Sequence, residues 1–199
     1  MKIHDVFGRS DYALISELVP AGSRVLDLGC GDGALLAALK ETKQVEARGI
    51  ELRGELVQAA IARGVSVYQG DLEASLKEYP DGTFDYVILS QTLQESRRPL
   101  AVLTEMLRIG RHAIVAFPNF GHWRVRLSHL ASGRSPRTRL FPHAWHDSPN
   151  VHFLTVLDFE DLAREQRWAV EKRLFLSGSS GVSAWPNLRA ETAVYLLKR

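Results

Sequence analysis

Apolar and polar positions follow two different periods along the chain, one typical of strands and one typical of helices. Short β-rich runs predict strands at residues 24–29, 47–52, 65–71, 84–90, 112–117, 169–177 and 191–199. Apolar residues spaced three or four apart predict helices at 33–41, 54–64, 97–110 and 157–168. Strands that alternate with helices form parallel βαβ units, whereas the last two strands lack an intervening helix and should pair antiparallel. The pattern therefore predicts an α/β protein with a doubly wound, mostly parallel sheet of seven strands and an antiparallel edge strand.

This alternation stops after Phe117. Residues 118–150 are rich in proline and combine aromatic rings with arginines at positions 124, 126, 134, 137 and 139. We expect a single domain over residues 1–199, with an irregular excursion at 118–150 inside it. The excursion begins with FPNFGHWRVR, whose rings must be covered by something, because exposed aromatic area is costly in water.

Composition narrows the class of protein. The chain has 199 residues, a net charge of +2 and 45% hydrophobic residues, as in an ordinary globular domain. So small a net charge argues against a nucleic-acid binder that relies on bulk electrostatics. The single cysteine, Cys30, excludes an internal disulfide and a cysteine-rich zinc site. Neither a signal peptide nor a membrane span is visible in the sequence, so we expect a cytoplasmic protein.

A glycine-rich loop follows the first predicted strand, where a doubly wound sheet binds its ligand. In LDLGCGDG, Gly29, Gly31 and Gly33 allow a ligand to approach the backbone closely. Glu51 ends the second predicted strand, where a carboxylate can accept hydrogen bonds from a ribose diol. Asp71 ends the third, within reach of an adenine amine. The set predicts a site for an adenosine-containing ligand.

The charges around this loop favour one such ligand. A dinucleotide places its pyrophosphate at the helix N-terminus, but here Asp27 and Asp32 would repel it. Two carboxylates suit a ligand with an ammonium group and a sulfonium centre, so we expect S-adenosylmethionine. Asp32 could also cap the following helix, which is compatible with ligand binding, and Glu51 could be a solvated acid at a strand end. Cys30 is interpreted as a small loop filler, because no base is suggested near it.

Several stretches resemble the methionine-biosynthesis protein MetW family, within the class I S-adenosylmethionine-dependent methyltransferases. They are VLDLGCGDG, GDL, FDYVILSQTLQ, RRP, FPNFGHWRVR and SPNVHF, and ETAVYLLKR resembles the superfamily's antiparallel seventh strand. The resemblance implies a Rossmann-like methyltransferase fold and a role beside the acyltransferase that activates homoserine, a MetX-type homoserine O-succinyltransferase. With the strand-end positions, it gives a predicted cofactor-binding set: Asp27, Gly29, Cys30, Gly31, Asp32, Gly33, Glu51, Leu52, Asp71, Leu72 and Ser90.

The catalytic residues are unknown from sequence. Amine methyltransferases often carry an Asn/Asp-Pro-Pro-aromatic motif after the fourth strand, but this chain has Gln91 and Gln94 there, neither of which is a base. His122 could act as a base or be a hydrogen-bonded loop residue. No metal is predicted, because His143, His146 and Asp147 lack a third ligand at regular spacing. Whether the protein is an active methyltransferase or an accessory subunit stays open.

The composition of residues 118–150 is more typical of a protein interface, or of an ordered lid over the ligand, than of a buried core. Aromatic residues and arginine are enriched at interfaces, and arginine is seldom fully buried unless paired. A lid would exclude water from a methyl acceptor. The residues predicted for this interface or lid are Phe120, His122, Trp123, Arg124, Arg126 and Trp145. Nucleic acid is disfavoured as the partner, and homodimerisation through the exposed rings stays open.

Overall fold

The computed structural model describes residues 9–138 and 140–198. Arg139 and the ends of the predicted domain, residues 1–8 and 199, lie outside this range. The strands are β1 Arg24–Leu28, β2 Glu46–Glu51, β3 Ser66–Gln69, β4 Phe84–Ser90, β5 Gly110–Pro118, β6 Ala169–Ser177, β7 Ser180–Gly181 and β8 Thr192–Lys198. The α-helices are α1 Ser10–Leu18, α2 Ala34–Lys43, α3 Gly54–Ala62, α4 Leu72–Ser75, α5 Pro99–Ile109, α6 Trp123–Ser132, α7 Val156–Glu165 and α8 Pro186–Arg189. Two single 3₁₀ turns cover Leu76–Glu78 and Leu93–Glu95.

All strands join one sheet, in the order β3-β2-β1-β4-β5-β8-β6-β7. The first five pair in parallel, and β8 runs antiparallel between β5 and β6. This confirms the predicted doubly wound, mostly parallel sheet with antiparallel strands at one side. The described residues contain eight strands rather than seven, because the two-residue β7 pairs with the end of β6.

Helices cover both faces of the sheet, which explains why its central strands are apolar at consecutive positions. In β4, Val87 and Leu89 pack with Leu103 of α5 on one face. Ile88 points the other way and packs with Ile15 of α1, because successive strand residues face opposite sides. Two apolar layers therefore hold the sheet, one on each face. The buried polar residues Asp27, Glu51 and Ser90 lie near the carboxyl ends of their strands.

The main differences from the sequence prediction concern three elements, and the short helices α4 and α8 were not predicted either. The stretch 118–150 was predicted to be irregular, but α6 occupies 10 of its residues; its prolines flank the helix and do not interrupt it. The third strand was predicted to reach Asp71, but it ends at Gln69, because Asp71 caps α4 by accepting hydrogen bonds from the backbone N–H groups of Glu73 and Ala74. Helix α1 was not predicted.

Candidate functional site

The glycine loop after β1 lies directly against β2. The backbone N–H groups of Gly29 and Cys30 donate to the carbonyl of Ile50 at 2.8 and 3.1 Å. The N–H of Gly31 donates to Oε2 of Glu51 at 3.0 Å, and the N–H of Arg53 donates to Oε1 of the same carboxylate at 2.9 Å. Glu51 therefore bridges the loop and the start of α3, as a fixed carboxylate at the carboxyl edge of the sheet.

The three loop glycines all have positive φ, but for different structural needs. A Cβ on Gly29 would lie 2.7 Å from Oγ1 of Thr92, and one on Gly33 would lie 2.8 Å from Cβ of Ala60. Both positions are thus closed by the protein's own packing. A Cβ on Gly31 would meet no atom within 4 Å, so the backbone there faces free space that a ligand can occupy.

Asp27, near the end of β1, is an unusually buried acidic residue. It lies in the crevice that we define by the glycine loop and the carboxyl ends of β1, β2 and β4. Its side chain is buried, and no described residue hydrogen-bonds to its Oδ1. Burial raises the pKa of Asp27 to about 8; the charge of Arg9 opposes this, and those of Glu51 and Asp11 add to it. A buried carboxyl with an unsatisfied oxygen is poised to accept a cation or a hydrogen-bond donor.

Helix α1 closes the crevice from the side opposite β2. The hydroxyl of Ser90, at the end of β4, donates to Oδ2 of Asp11 at 2.9 Å. The guanidinium of Arg9 pairs with Asp11 at 2.5 Å and stacks over the ring of Tyr12 at 4.3 Å. Sequence reasoning missed Arg9, Asp11 and Tyr12, although the apolar spacing of Ile15, Leu18 and Val19 could have indicated the helix that carries them.

The other predicted cofactor residues surround this centre with different roles. Asp32 accepts a hydrogen bond from the N–H of Ala34 and pairs with Arg63 at 2.7 Å. Cys30 is buried beneath the loop, and burial raises the pKa of its thiol to about 12, so the thiol stays protonated. Leu52 and Asp71 are exposed, and Leu72 is half-buried against the core.

Two glutamines follow β4, and Gln94 connects this end of the sheet to the residues just after the excursion. Gln94 is buried, and its side-chain amide donates to the carbonyl of Gln91 at 2.7 Å. Its backbone carbonyl accepts from the N–H groups of Val151 and His152 at 2.8 and 3.0 Å. LSQTLQ and SPNVHF are therefore in direct contact, although about 60 residues separate them. Gln94 has a structural role and supplies no base.

The excursion divides into residues that face inward and residues that face outward. Phe120 packs against Phe141 and Phe153, with ring centroids 5.3 and 4.7 Å apart. His122 is buried and caps α6, its Nδ1 accepting from the N–H of Arg124 at 3.3 Å; burial lowers its pKa. Phe120 and His122 thus stabilise the excursion itself and leave little surface for a partner.

The remaining interface residues of the prediction point outward. Trp123 is exposed, and the guanidinium of Arg124 lies 5.2 Å from its ring and 3.8 Å from Glu191. Arg126 donates from Nε to the carbonyl of Gly121 at 2.6 Å. Trp145 is 79% exposed. These side chains form the surface that a partner or a lid interaction could use.

Asn119 anchors the start of the excursion, a role that the sequence analysis did not assign. Its side chain is fully buried and donates to the carbonyls of Asn187 and Ala190 at 3.0 and 2.8 Å. Its Oδ1 accepts from the N–H groups of Gly121 and Val156 at 3.0 and 3.2 Å. A single amide thereby joins β5, α7 and α8, and the only sequence signal was an asparagine at a strand end.

Residues 9–138 and 140–198 offer neither a cluster of metal ligands nor a membrane-spanning helix. Within that range, no group of three or more His, Cys, Asp and Glu side chains is placed to hold a metal ion. Within the same range, no helix has the length and apolar character needed to cross a bilayer.

Comparison with known proteins relates the chain to two groups. The family model described as "Methionine biosynthesis protein MetW" matches residues 9–197. The bifunctional methionine biosynthesis protein MetXA/MetW of Rhodopirellula baltica is 38% identical over 98% of this chain. This chain spans only 33% of that protein. An ubiquinone biosynthesis O-methyltransferase of Methylococcus capsulatus is 27% identical over 83% of this chain and 69% of its own length.

Solved structures agree with this at the level of the fold. A S-adenosylmethionine-dependent methyltransferase of Thermotoga maritima superposes with a TM-score of 0.70 at 19% identity, over 98% of this chain and 91% of that one. One from Archaeoglobus fulgidus gives a TM-score of 0.70 at 16% identity, over 98% and 97% of the two chains. The predicted Rossmann-like methyltransferase fold is confirmed.

Proposed function

Because the chain belongs to the methionine biosynthesis protein MetW family, we propose that it binds S-adenosylmethionine and acts as an accessory subunit of a MetX-type homoserine O-succinyltransferase. The observation that carries the proposal is the Rhodopirellula baltica relative, whose name joins MetXA and MetW in one polypeptide. A fusion holds its parts at a high effective concentration, which is useful when the parts act together. The same association between an acyltransferase and a MetW domain is what we propose for this chain.

The crevice fits S-adenosylmethionine, which supplies an ammonium group, a ribose diol and a sulfonium when bound. Asp27 offers the ammonium a buried carboxylate whose Oδ1 no described residue occupies. Gly31 leaves free space at the loop. Each oxygen of Glu51 accepts one backbone hydrogen bond and keeps acceptor capacity for a diol. Leu52 and Asp71 are exposed and are the residues that we propose to contact the adenine.

An accessory role needs no base near this crevice, and the glutamines and the histidine considered in the sequence analysis do not supply one. Among the described residues after β4 and β5, Gln91 and Gln94 are neutral amides, and the Nδ1 of buried His122 is engaged in capping α6. Methyl transfer can proceed by positioning alone, so catalysis does not require a base. The second candidate is accordingly an active small-molecule methyltransferase, favoured by the O-methyltransferase relative and the shared fold.

The decisive experiment measures homoserine succinylation by the purified acyltransferase from the same cell, with and without this protein. We expect co-elution of the two proteins and faster acyl transfer when both are present. Unchanged acyl transfer without co-elution, together with release of S-adenosylhomocysteine in the presence of a methyl acceptor, would support the methyltransferase instead.

A regulatory role requires that S-adenosylmethionine bind the free protein and the complex with different affinities. The end product of the pathway could then adjust the enzyme at its entry. Titration of the ligand into each species by calorimetry measures this difference. Equal affinities would leave the protein an activator without a sensor function.

Replacing Glu51 by glutamine is expected to weaken S-adenosylmethionine binding about tenfold. The amide keeps one acceptor for the backbone but loses the charge that strengthens hydrogen bonds from a diol, a difference of about 1.5 kcal/mol. Calorimetric titration measures the affinity. Glu55→Gln, at an exposed position of α3, is the matched control and should bind like the wild type. If both variants bind S-adenosylmethionine with equal affinity, Glu51 does not contact the ligand.

A further inference from the structure

Helix α6 has an apolar side that faces away from the protein. Val125 is its buried residue and holds the helix against the domain. Trp123, Leu127 and Leu130 are exposed, and their spacing of four and three residues places them on one face. Leu130 is 83% exposed. An amphipathic helix normally turns such a stripe toward a core. We therefore expect another molecule to bind over this stripe.

A cationic cavity follows the helix directly. His129, in the last turn, shares a hydrogen bond of 3.1 Å between its Nδ1 and the carbonyl of Arg134. Arg134, Ser135, Arg137, Ala144 and Trp145 then line a cavity of about 500 Å³. Two guanidinium groups and an indole form its wall, and no carboxylate is among the lining residues. Such a cavity matches a carboxylate flanked by apolar groups.

Positive charge is concentrated in this part of the chain. Residues 118–150 contain five arginines and a single acidic residue, Asp147, whereas the whole chain carries only +2. Arg124 is partly compensated by Glu191, but Arg134 and Arg137 border the cavity. The surface therefore combines an apolar stripe with a basic border. A complementary surface on a partner would have an apolar patch with acidic residues at its border.

Resting on the proposed function, we propose that the α6 surface, defined as Trp123, Leu127, Leu130, Arg134, Arg137 and Trp145, is where the acyltransferase docks. The acyltransferase presents an apolar patch to the helix stripe and one or more carboxylates to the cavity. The charge distribution selects this occupant over a second copy, because a two-fold contact would bring the same arginines together. It also favours a protein over a single-stranded nucleic acid. Trp123 and Trp145 offer rings to bases, but Leu127 and Leu130 add exposed aliphatic area that a protein covers and a phosphate backbone does not.

The test measures affinity for the purified acyltransferase by biolayer interferometry. Leu130→Glu is expected to weaken binding tenfold or more, about the loss typical of an interface residue that matters, because it places a charge in the apolar stripe. Ile61→Glu is the matched control: Ile61 is also aliphatic, lies in the last turn of α3 and is 56% exposed. This control should bind like the wild type.

Charge is tested separately with Arg134→Glu. We expect weaker binding at low salt and a smaller fall in affinity between 50 and 300 mM salt than the wild type shows, because exposed charge pairs are screened by ions. If the affinity of the wild type for the acyltransferase does not vary with salt, the proposed role of Arg134 and Arg137 in docking is wrong.

The outcomes separate this inference from the function it rests on. If the wild type neither binds nor stimulates the acyltransferase, the proposed function fails. If the wild type binds and Leu130→Glu binds equally well while still taking up S-adenosylmethionine, the function stands and the α6 surface is overturned. Dissociation of a homodimer by Leu130→Glu, with acyltransferase binding unchanged, would assign the surface to a second copy. Preferential capture of a single-stranded oligonucleotide by the wild type would likewise overturn the proposal.

Discussion

Replacing Asp27 by asparagine is expected to stabilise the ligand-free protein at pH 8 and to weaken S-adenosylmethionine binding about a hundredfold. The two effects have opposite signs because the buried carboxylate is costly without a cation. Burial raises its pKa to about 8, and the isosteric amide removes that cost. The amide also removes the charge opposite the ligand's ammonium, and losing one member of a buried charge pair costs about 2–5 kcal/mol.

The pH dependence follows from the same raised pKa. Between about pH 4 and pH 8, folded Asp27 keeps a proton that the unfolded chain has released, so the free energy of unfolding falls as the pH rises. The stabilising effect of Asp27→Asn should therefore grow from pH 5 to pH 8. Ligand binding by the wild type should strengthen over the same interval, because the ammonium needs the ionised carboxylate.

Urea denaturation and calorimetric titration at pH 5.5, 7 and 8.5 measure both effects. Asp85→Asn is the control, since Asp85 pairs with Arg24 at 3.0 Å in a part-exposed site and the Arg24 side chain holds the Asp85 pKa below its usual range. That variant should lose about 1 kcal/mol or less and bind the ligand normally. A destabilised Asp27→Asn protein with unchanged ligand affinity would show that Asp27 is purely structural.

Replacing Asn119 by alanine is expected to lower the free energy of unfolding by about 3 kcal/mol. The substitution removes four hydrogen bonds from a fully buried site and leaves backbone groups of α7, of the end of α8 and of the loop before α6 without their partner. Each buried group left unsatisfied costs about 1–3 kcal/mol, and partial relaxation reduces the total. Chemical denaturation followed by circular dichroism measures the loss.

Asn150→Ala serves as the comparison, because Asn150 is half-exposed in the same excursion; its effect should stay within about 0.5 kcal/mol. The two variants should also differ in acyltransferase binding, since only Asn119 anchors the loop that leads into α6. Equal stability of the two variants would mean that α7 and α8 are held by packing alone.

The predicted fold depended on patterns that are local in the sequence. The run FDYVILS reads as a strand because both faces of β4 are buried, and it is one from Phe84 to Ser90. The loop glycines were found because positive φ and close packing demand glycine at those positions. Helix α6 was missed although Trp123, Leu127 and Leu130 have helical spacing, because the prolines and arginines of residues 118–150 were interpreted as a break in the regular pattern.

The sequence by itself determined the order along the chain of seven strands and four helices, the glycine loop and the acidic residues at strand ends. Backbone geometry and burial leave a regular signal in neighbouring positions. The tertiary structure alone decided which distant groups meet. It placed Arg9 and Asp11 beside Ser90, and it gave Asn119 its partners at α7 and α8. Such contacts depend on how separate elements pack together, and the spacing of residues along one chain does not record that packing.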